Sequence, residues 1–181
     1  MWQQLLNVIV LSFTICFLSG CIGAHTNMYK PVSPMEAQIF AKVNFKVYPD
    51  DVRGALDSYR DTVVAWAGII SNYDVIHHDE NIEIIISLEH HYYDWLEDYS
   101  IQKEKIFLSP KGEGSFKTSL FFKAGSPVDE ITKAFSKGDL VIAYGIPQSI
   151  DDDGVIVIKG LYPRVIKKMW YRTDVLEYGR L

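Results

Sequence analysis

Residues 127–146 read PVDEITKAFSKGDLVIAYGI, and the way this stretch divides decides the fold. Its first half carries a proline, two acids and spaced apolar residues. Ser126 stands as a cap, Pro127 suits the first helical position, and Asp129 and Glu130 fall in the first turn, where acids favour a helix start. A helix is therefore expected over Pro127–Phe135, stopped by Gly138. At Asp139 the composition changes. DLVIAYGI, Asp139–Ile146, is rich in β-formers and reads as a strand. The Lys137-Gly138-Asp139 step leads into the strand, so the chain must turn sharply there.

Upstream lie three more strand-like runs. TVVAWAGIIS (Thr62–Ser71) is the first, and polar Asn72–Asn81 is expected to end it and form a hairpin to IEIIISL (Ile82–Leu88). FKTSLFFK (Phe116–Lys123) is the third. Downstream, Asp151-Asp152-Asp153-Gly154 is a turn, and VIVIKGL (Val155–Leu161) is the fifth strand. Ahead of them all, Pro49 followed by two aspartates suits a short helix. Three strands, a helix, then two strands is the order of the OB-fold, a five-stranded Greek-key barrel with one helix between strands three and four. An up-and-down sandwich would give a similar string. Gly68 and Gly145, inside strands, suit bends at barrel corners. The expected class is mostly β and OB-like.

The chain opens differently. Met1–Gly20 holds no charged side chain, and its apolar run Leu5–Leu18 is short for a bilayer span but right for a signal peptide. It ends in Leu18-Ser19-Gly20-Cys21, which looks like the lipobox of bacterial lipoproteins. There, small residues let the chain lie extended in the signal peptidase, the Cys21 thiol takes a diacylglyceryl group, and several acyl chains anchor firmly. MWQQLL lacks the usual early lysine or arginine, so an uncleaved membrane helix ending in cysteine is the competing reading. Ile22 follows the cysteine where an inner-membrane lipoprotein tends to have aspartate, which favours the outer membrane. The expected organisation is a signal peptide at 1–20, a lipidated tether at 21–35 with two prolines, and a single barrel domain at 36–181.

Net charge is −5 over 181 residues, a poor match to a nucleic-acid binder. The two cysteines are Cys16, inside the signal, and Cys21. A mature exported domain would then have no disulfide and must rely on its apolar core, to which 11 Tyr, 9 Phe and 4 Trp contribute.

VVAWAGII (Val63–Ile70), KGDLVIAYGIP (Lys137–Pro147), GVIVIKGLYPRVI (Gly154–Ile166) and the later Trp170, together with the lipobox, resemble the Slp family of starvation-inducible outer-membrane lipoproteins. The likeness spans roughly residues 60–170. It departs at Trp66-Ala67-Gly68, where the family tends to have Trp-Gly-Gly. The resemblance implies an outer-membrane lipoprotein with a barrel-like domain, and it brings no catalytic residue or cofactor.

Motif by motif, chemistry is thin. His77-His78 and His90-His91 flank an extended run, so they stand far apart and cannot converge on one zinc ion. Three consecutive aspartates at 151–153 do not follow the alternate spacing of a calcium loop. Lys111-Gly112-Glu113-Gly114 precedes a strand and not the helix that a phosphate loop needs. No nucleophile elbow or zinc-protease motif occurs. The chain therefore reads as a non-enzyme. Two binding candidates remain. HHYYDWLEDYSIQKEKIF (His90–Phe107) sets Tyr92, Tyr93, Trp95, Tyr99 and Phe107 between strands two and three, either as an exposed partner or ligand platform or as a plug of the barrel. Arg164, Lys167, Lys168 and Arg172 make the tail basic and suit anionic lipid, or else protect an edge strand. The expected function is an accessory envelope module that docks a protein partner; the alternative is a binder of a small envelope ligand such as a glycan, peptide or lipid head group.

Overall fold

Five strands close into one barrel, in the order β1 (Val64–His77), β2 (Asn81–His91), β4 (Ser115–Lys123), β6 (Ile156–Ile166), β5 (Leu140–Ile150) and back to β1. The computed structural model describes residues 29–93 and 106–173, with Phe107 described by its backbone alone. Cys21 and the rest of 1–28, Trp95 and Tyr99 within 94–105, and the tail 174–181 lie outside the described residues.

Every neighbouring pair in the barrel is antiparallel except β4 with β6. Five is odd, so directions cannot alternate all the way round, and one pair must be parallel. The helix α3 (Val128–Thr132) lies between the third and fourth barrel strands, as the OB order requires. Two further helices, α1 (Pro34–Phe40) and α2 (Pro49–Ala55), precede the barrel, and a two-residue parallel pair, β3 (Ile106–Phe107) with β7 (Tyr171–Arg172), lies beside it.

Strand alternation builds two cores. Facing inward are Val64, Trp66 and Ile70 of β1, Ile84, Ile86 and Leu88 of β2, Phe116 and Leu120 of β4, Val141 and Ala143 of β5, and Ile156 and Ile158 of β6. Burying each of the larger aliphatic side chains stabilises the fold by roughly 1.5–3 kcal/mol. Val128, Ile131 and Phe135 close the barrel from α3 and its following turn. The opposite faces of β1 and β5, with Ala65, Ala67, Leu140, Ile142 and Tyr144, form the second core. Tyr29, Ile39, Phe40 and Phe45 of the N-terminal arm cover it, with Tyr93 and Leu108 from the far side. Of the stretch 21–35 expected as a tether, the described part, 29–35, therefore includes a docked residue: Tyr29 is buried.

Two expected boundaries are corrected. The first strand does not end at Ser71. A bulge between Ile70 and Asn72 shifts the register, and the strand runs on to His77. Its polar residues Asn72 and Asp74 face solvent while Tyr73 and Val75 pack on the core, so a half-buried strand sits where polarity suggested a loop. The helix is also shorter than Pro127–Phe135. Pro127 itself occupies the cap position without a side-chain bond, and beyond Thr132 the chain tightens to i→i−3 bonds at Ala134 (3.1 Å) and Phe135 (2.9 Å). That tightening aims Phe135 into the barrel, where it packs near Tyr73.

Candidate functional site

The segment that begins at His90 is tied down as it leaves β2. His90 is buried, and its Nδ1 accepts the Glu113 N–H at 3.0 Å. Burial, assisted by His91 and Arg53, lowers its pKa to about 4, so the ring is neutral and an acceptor at ordinary pH. Gly112 is wedged against it: a Cβ there would lie 1.7 Å from the His90 carbonyl oxygen. Glu113 then gathers its neighbours. Its carboxylate accepts the Tyr92 hydroxyl at 2.5 Å and the Asp50 N–H of α2 at 2.7 Å, and its carbonyl accepts from Arg53, which also pairs with Asp50. The bond to Glu113 pushes Tyr92 up to about 12. Tyr48 lies edge-on to Tyr92, ring centres 5.4 Å apart.

Tyr92 is thus half exposed on a hydrogen-bonded cluster, while Tyr93 is buried edge-on to Tyr29 at 5.6 Å. The two adjacent tyrosines go to different places. Phe107 contributes its backbone to β3, opposite Arg172.

The four basic candidates also separate. Arg164 is largely buried. It sits 4.7 Å over the Tyr29 ring, donates to the Lys30 carbonyl at 3.2 Å and faces Glu36 at 3.7 Å. Lys167 pairs with Asp139 at 2.8 Å and donates to the Ala134 carbonyl. Lys168 and Arg172 are exposed; Lys168 opens a one-turn 3-10 helix, Lys168–Trp170, whose Met169 and Trp170 are 70% and 49% exposed, and Arg172 follows it.

One cluster escaped the sequence reading. Glu36, fully buried at the start of α1, accepts from the Tyr29 hydroxyl, the Val32 N–H (2.7 Å) and the Tyr144 hydroxyl (2.8 Å). Burial and the bonds around Glu36 hold both tyrosine hydroxyls far above their usual range, so they remain donors. Ser33, three residues before Glu36, accepts the Glu36 N–H at 3.1 Å. That Ser-x-x-Glu spacing was the visible signal, and it marks a helix start without saying that its glutamate is buried.

The two histidine pairs stand at opposite ends of β2: His77 is opposite Ile82, and His90 and His91 end the strand. Among the described residues no three His, Cys, Asp or Glu side chains gather as a metal site, and no helix is long and apolar enough to cross a membrane.

Between these ends, β1, β2 and β4 form a ribbon with an open outer face. Ile76, Glu83 and Phe121 lie side by side across it, and Ile76 and Phe121 are 40% and 47% exposed. Ser119 and His78 both bond Glu83, the latter at 3.2 Å. No protein-family model matches this chain, and no curated protein matches it significantly.

Proposed function

We propose that this chain is a Slp-type envelope lipoprotein, anchored to the outer membrane through Cys21 and acting without catalysis as an accessory subunit that docks another protein. The observation that carries the docking reading is the row Ile76–Glu83–Phe121. Two large apolar side chains are exposed on the outer sheet face with Glu83 between them, and an exposed apolar patch set among charged groups suits a protein partner. The anchor reading rests on Leu18-Ser19-Gly20-Cys21. Cys21 and the buried Tyr29 are eight positions apart, so a lipidated Cys21 would keep the barrel within about 30 Å of its anchor, given at most ~3.6 Å per residue. The alternative, a glycan-like ligand, draws on the Tyr48–Tyr92 pair beside Asp50, Arg53 and Glu113. Those polar groups already bond one another, which weighs towards docking.

The test has two stages. Cells are fed an alkyne palmitate, and wild type is compared with Cys21→Ser. Label on the wild type alone, with the variant lost from the membrane, is expected; label or membrane retention in the variant overturns the anchor. Crosslinked cells are then extracted through a C-terminal tag. A discrete envelope protein lost on Phe121→Asp is expected, and its absence overturns the docking role.

A further inference from the structure

Strand β1 is longer than its partner on one side. Its first part pairs with β5 only from Val64 to Ile69, and Ile70 closes that seam through bonds with Gly138 and Asp139. Beyond Ile70 the strand continues to His77, paired with β2 alone among the described residues. Among the described residues no backbone hydrogen bond reaches its other edge over this stretch.

Strand geometry says which groups lie on that edge. The His78 N–H donates to the Asn81 carbonyl at 2.8 Å, which makes 78 and 81 a hydrogen-bonded pair at the hairpin end. Such pairs alternate along an antiparallel ladder. Asn72, Asp74 and Ile76 therefore direct their N–H and C=O towards β2. Tyr73, Val75 and His77 direct theirs outward. Three consecutive outward positions form a row of donors and acceptors that no described residue pairs, which is a template for another strand.

Charge selects the strand. From Asp61 to Gln102 the sequence contains no lysine or arginine. The hairpin itself carries Asp74, Asp79, Glu80, Glu83 and Glu89. The cations across the ribbon, Lys117 and Lys123, come from β4 on the far side of β2, and Lys117 is paired with Asp151 at 2.7 Å. On the outer face next to the edge, Asp74 and Ile76 are exposed two residues apart.

We infer that the edge of β1 from Tyr73 to His77 takes an extended segment of a partner protein as an added strand, one with lysine or arginine alternating with apolar residues. Its basic side chains then share the outer face with Asp74, their methylene stems lying over Ile76, and its apolar ones fall on the other face beside Tyr73 and Val75. This rests on the docking role proposed above and names its partner's chemistry.

The full-length protein, purified as the cell makes it, is titrated with an alternating valine–lysine peptide and with its valine–glutamate counterpart. Backbone amide exchange is read residue by residue. The lysine peptide is expected to slow exchange at Tyr73, Val75 and His77 by about tenfold or more, with the glutamate peptide inert. His77→Pro removes one outward N–H while leaving the bonds between β1 and β2 intact, and it is expected to abolish the slowing. Unchanged exchange at Asp74 and Ile76 shows that the variant is folded. No slowing, equal slowing by both peptides, or slowing that survives His77→Pro overturns the inference. So does protection before any peptide is added together with a doubled mass, since a second copy then holds the edge. The same variant separates the two proposals in crosslinked cells. A partner captured equally by wild type and His77→Pro keeps the docking role and removes the edge. Amide slowing with no captured partner keeps the edge and removes the docking role.

Discussion

Tyr144 donates its hydroxyl to Glu36 at 2.8 Å, joining β5 to the N-terminal arm across 108 residues of chain. The bond matters because Glu36 has no solvent to fall back on. Removing its carboxylate strands the Tyr29 and Tyr144 hydroxyls and leaves Arg164 without its buried counter-ion. Glu36→Ala is expected to cost about 3–5 kcal/mol, the usual penalty for breaking a buried charged set by removing one partner. Glu36→Gln, which keeps an acceptor, costs less. Urea midpoints measure both, and limited proteolysis should show new cleavage between residues 29 and 45 in the alanine variant. An arm that stays protected in Glu36→Ala would show that the apolar contacts of Tyr29, Phe40 and Phe45 hold it alone.

His90 makes stability depend on pH in a defined window. Folded, its pKa is about 4; unfolded, it returns to about 6.5. Between those values the unfolded chain binds the extra proton, so the protein loses stability as pH falls from 6.5 towards 4 and the loss levels off below that. The gap corresponds to about 3 kcal/mol. The comparison is with His90→Asn, whose amide oxygen can still accept the Glu113 N–H. Denaturation at pH 7 and pH 4.5 should show a smaller drop for the variant. Equal drops would mean that His90 is not the group responsible.

The strand order was legible because OB topology leaves a mark that local chemistry can read: β-rich runs in a fixed sequence, broken by one helix with Pro127, Asp129 and Glu130 at its start. The boundaries were less so. Asn72 and Asp74 read as loop because their polarity is local, while the partners that make them strand, Ser87 and Ile85, are distant in sequence. The aromatic run starting at His90 stands out in the sequence, but sequence does not divide Tyr92 from Tyr93. One is bonded to Glu113 and the other is packed on Tyr29, 64 residues upstream. The basic tail divides in the same way. Arg164 and Lys167 meet carboxylates supplied by α1 and by the residue before β5, pairings that nothing local in the sequence marks. Long-range pairing is the information a single sequence holds least directly.

Two glycines should respond oppositely to alanine. A Cβ at Gly68 would lie 2.8 Å from the Leu88 Cβ and 2.9 Å from the Phe116 ring, both fully buried. Overpacking there is expected to cost about 1–3 kcal/mol. Gly54, inside α2, has nothing within 4 Å of its Cβ position. Alanine there should stabilise by about 0.5–1 kcal/mol through helix propensity. Thermal melts of Gly68→Ala and Gly54→Ala should therefore shift in opposite directions. A Gly68→Ala protein as stable as wild type would mean that the barrel is looser at the β1–β2 contact than this packing indicates.

The exposed pair Met169 and Trp170 gives the last prediction. An indole and a thioether on a single 3-10 turn, beside Lys168 and Arg172, have the character of a side-chain set that rests at a lipid interface. Lys168 is exposed, whereas Arg164 is committed to Glu36 and Tyr29. If the barrel leans on a bilayer here, Trp170→Ala and Lys168→Glu should each weaken binding to phosphatidylcholine–phosphatidylglycerol vesicles while leaving the urea midpoint within about 0.5 kcal/mol of wild type. The lysine contribution should be about 1 kcal/mol and vanish on pure phosphatidylcholine or at high salt. Arg164→Ala should do the reverse, lowering stability with little direct effect on lipid. Tryptophan fluorescence provides an independent reading, because Trp170 moving into the interface shifts its emission to shorter wavelength, and Trp170→Ala removes that shift. Vesicle binding that is unchanged in Trp170→Ala would place the lipid contact elsewhere and leave Met169 and Trp170 as ordinary exposed residues.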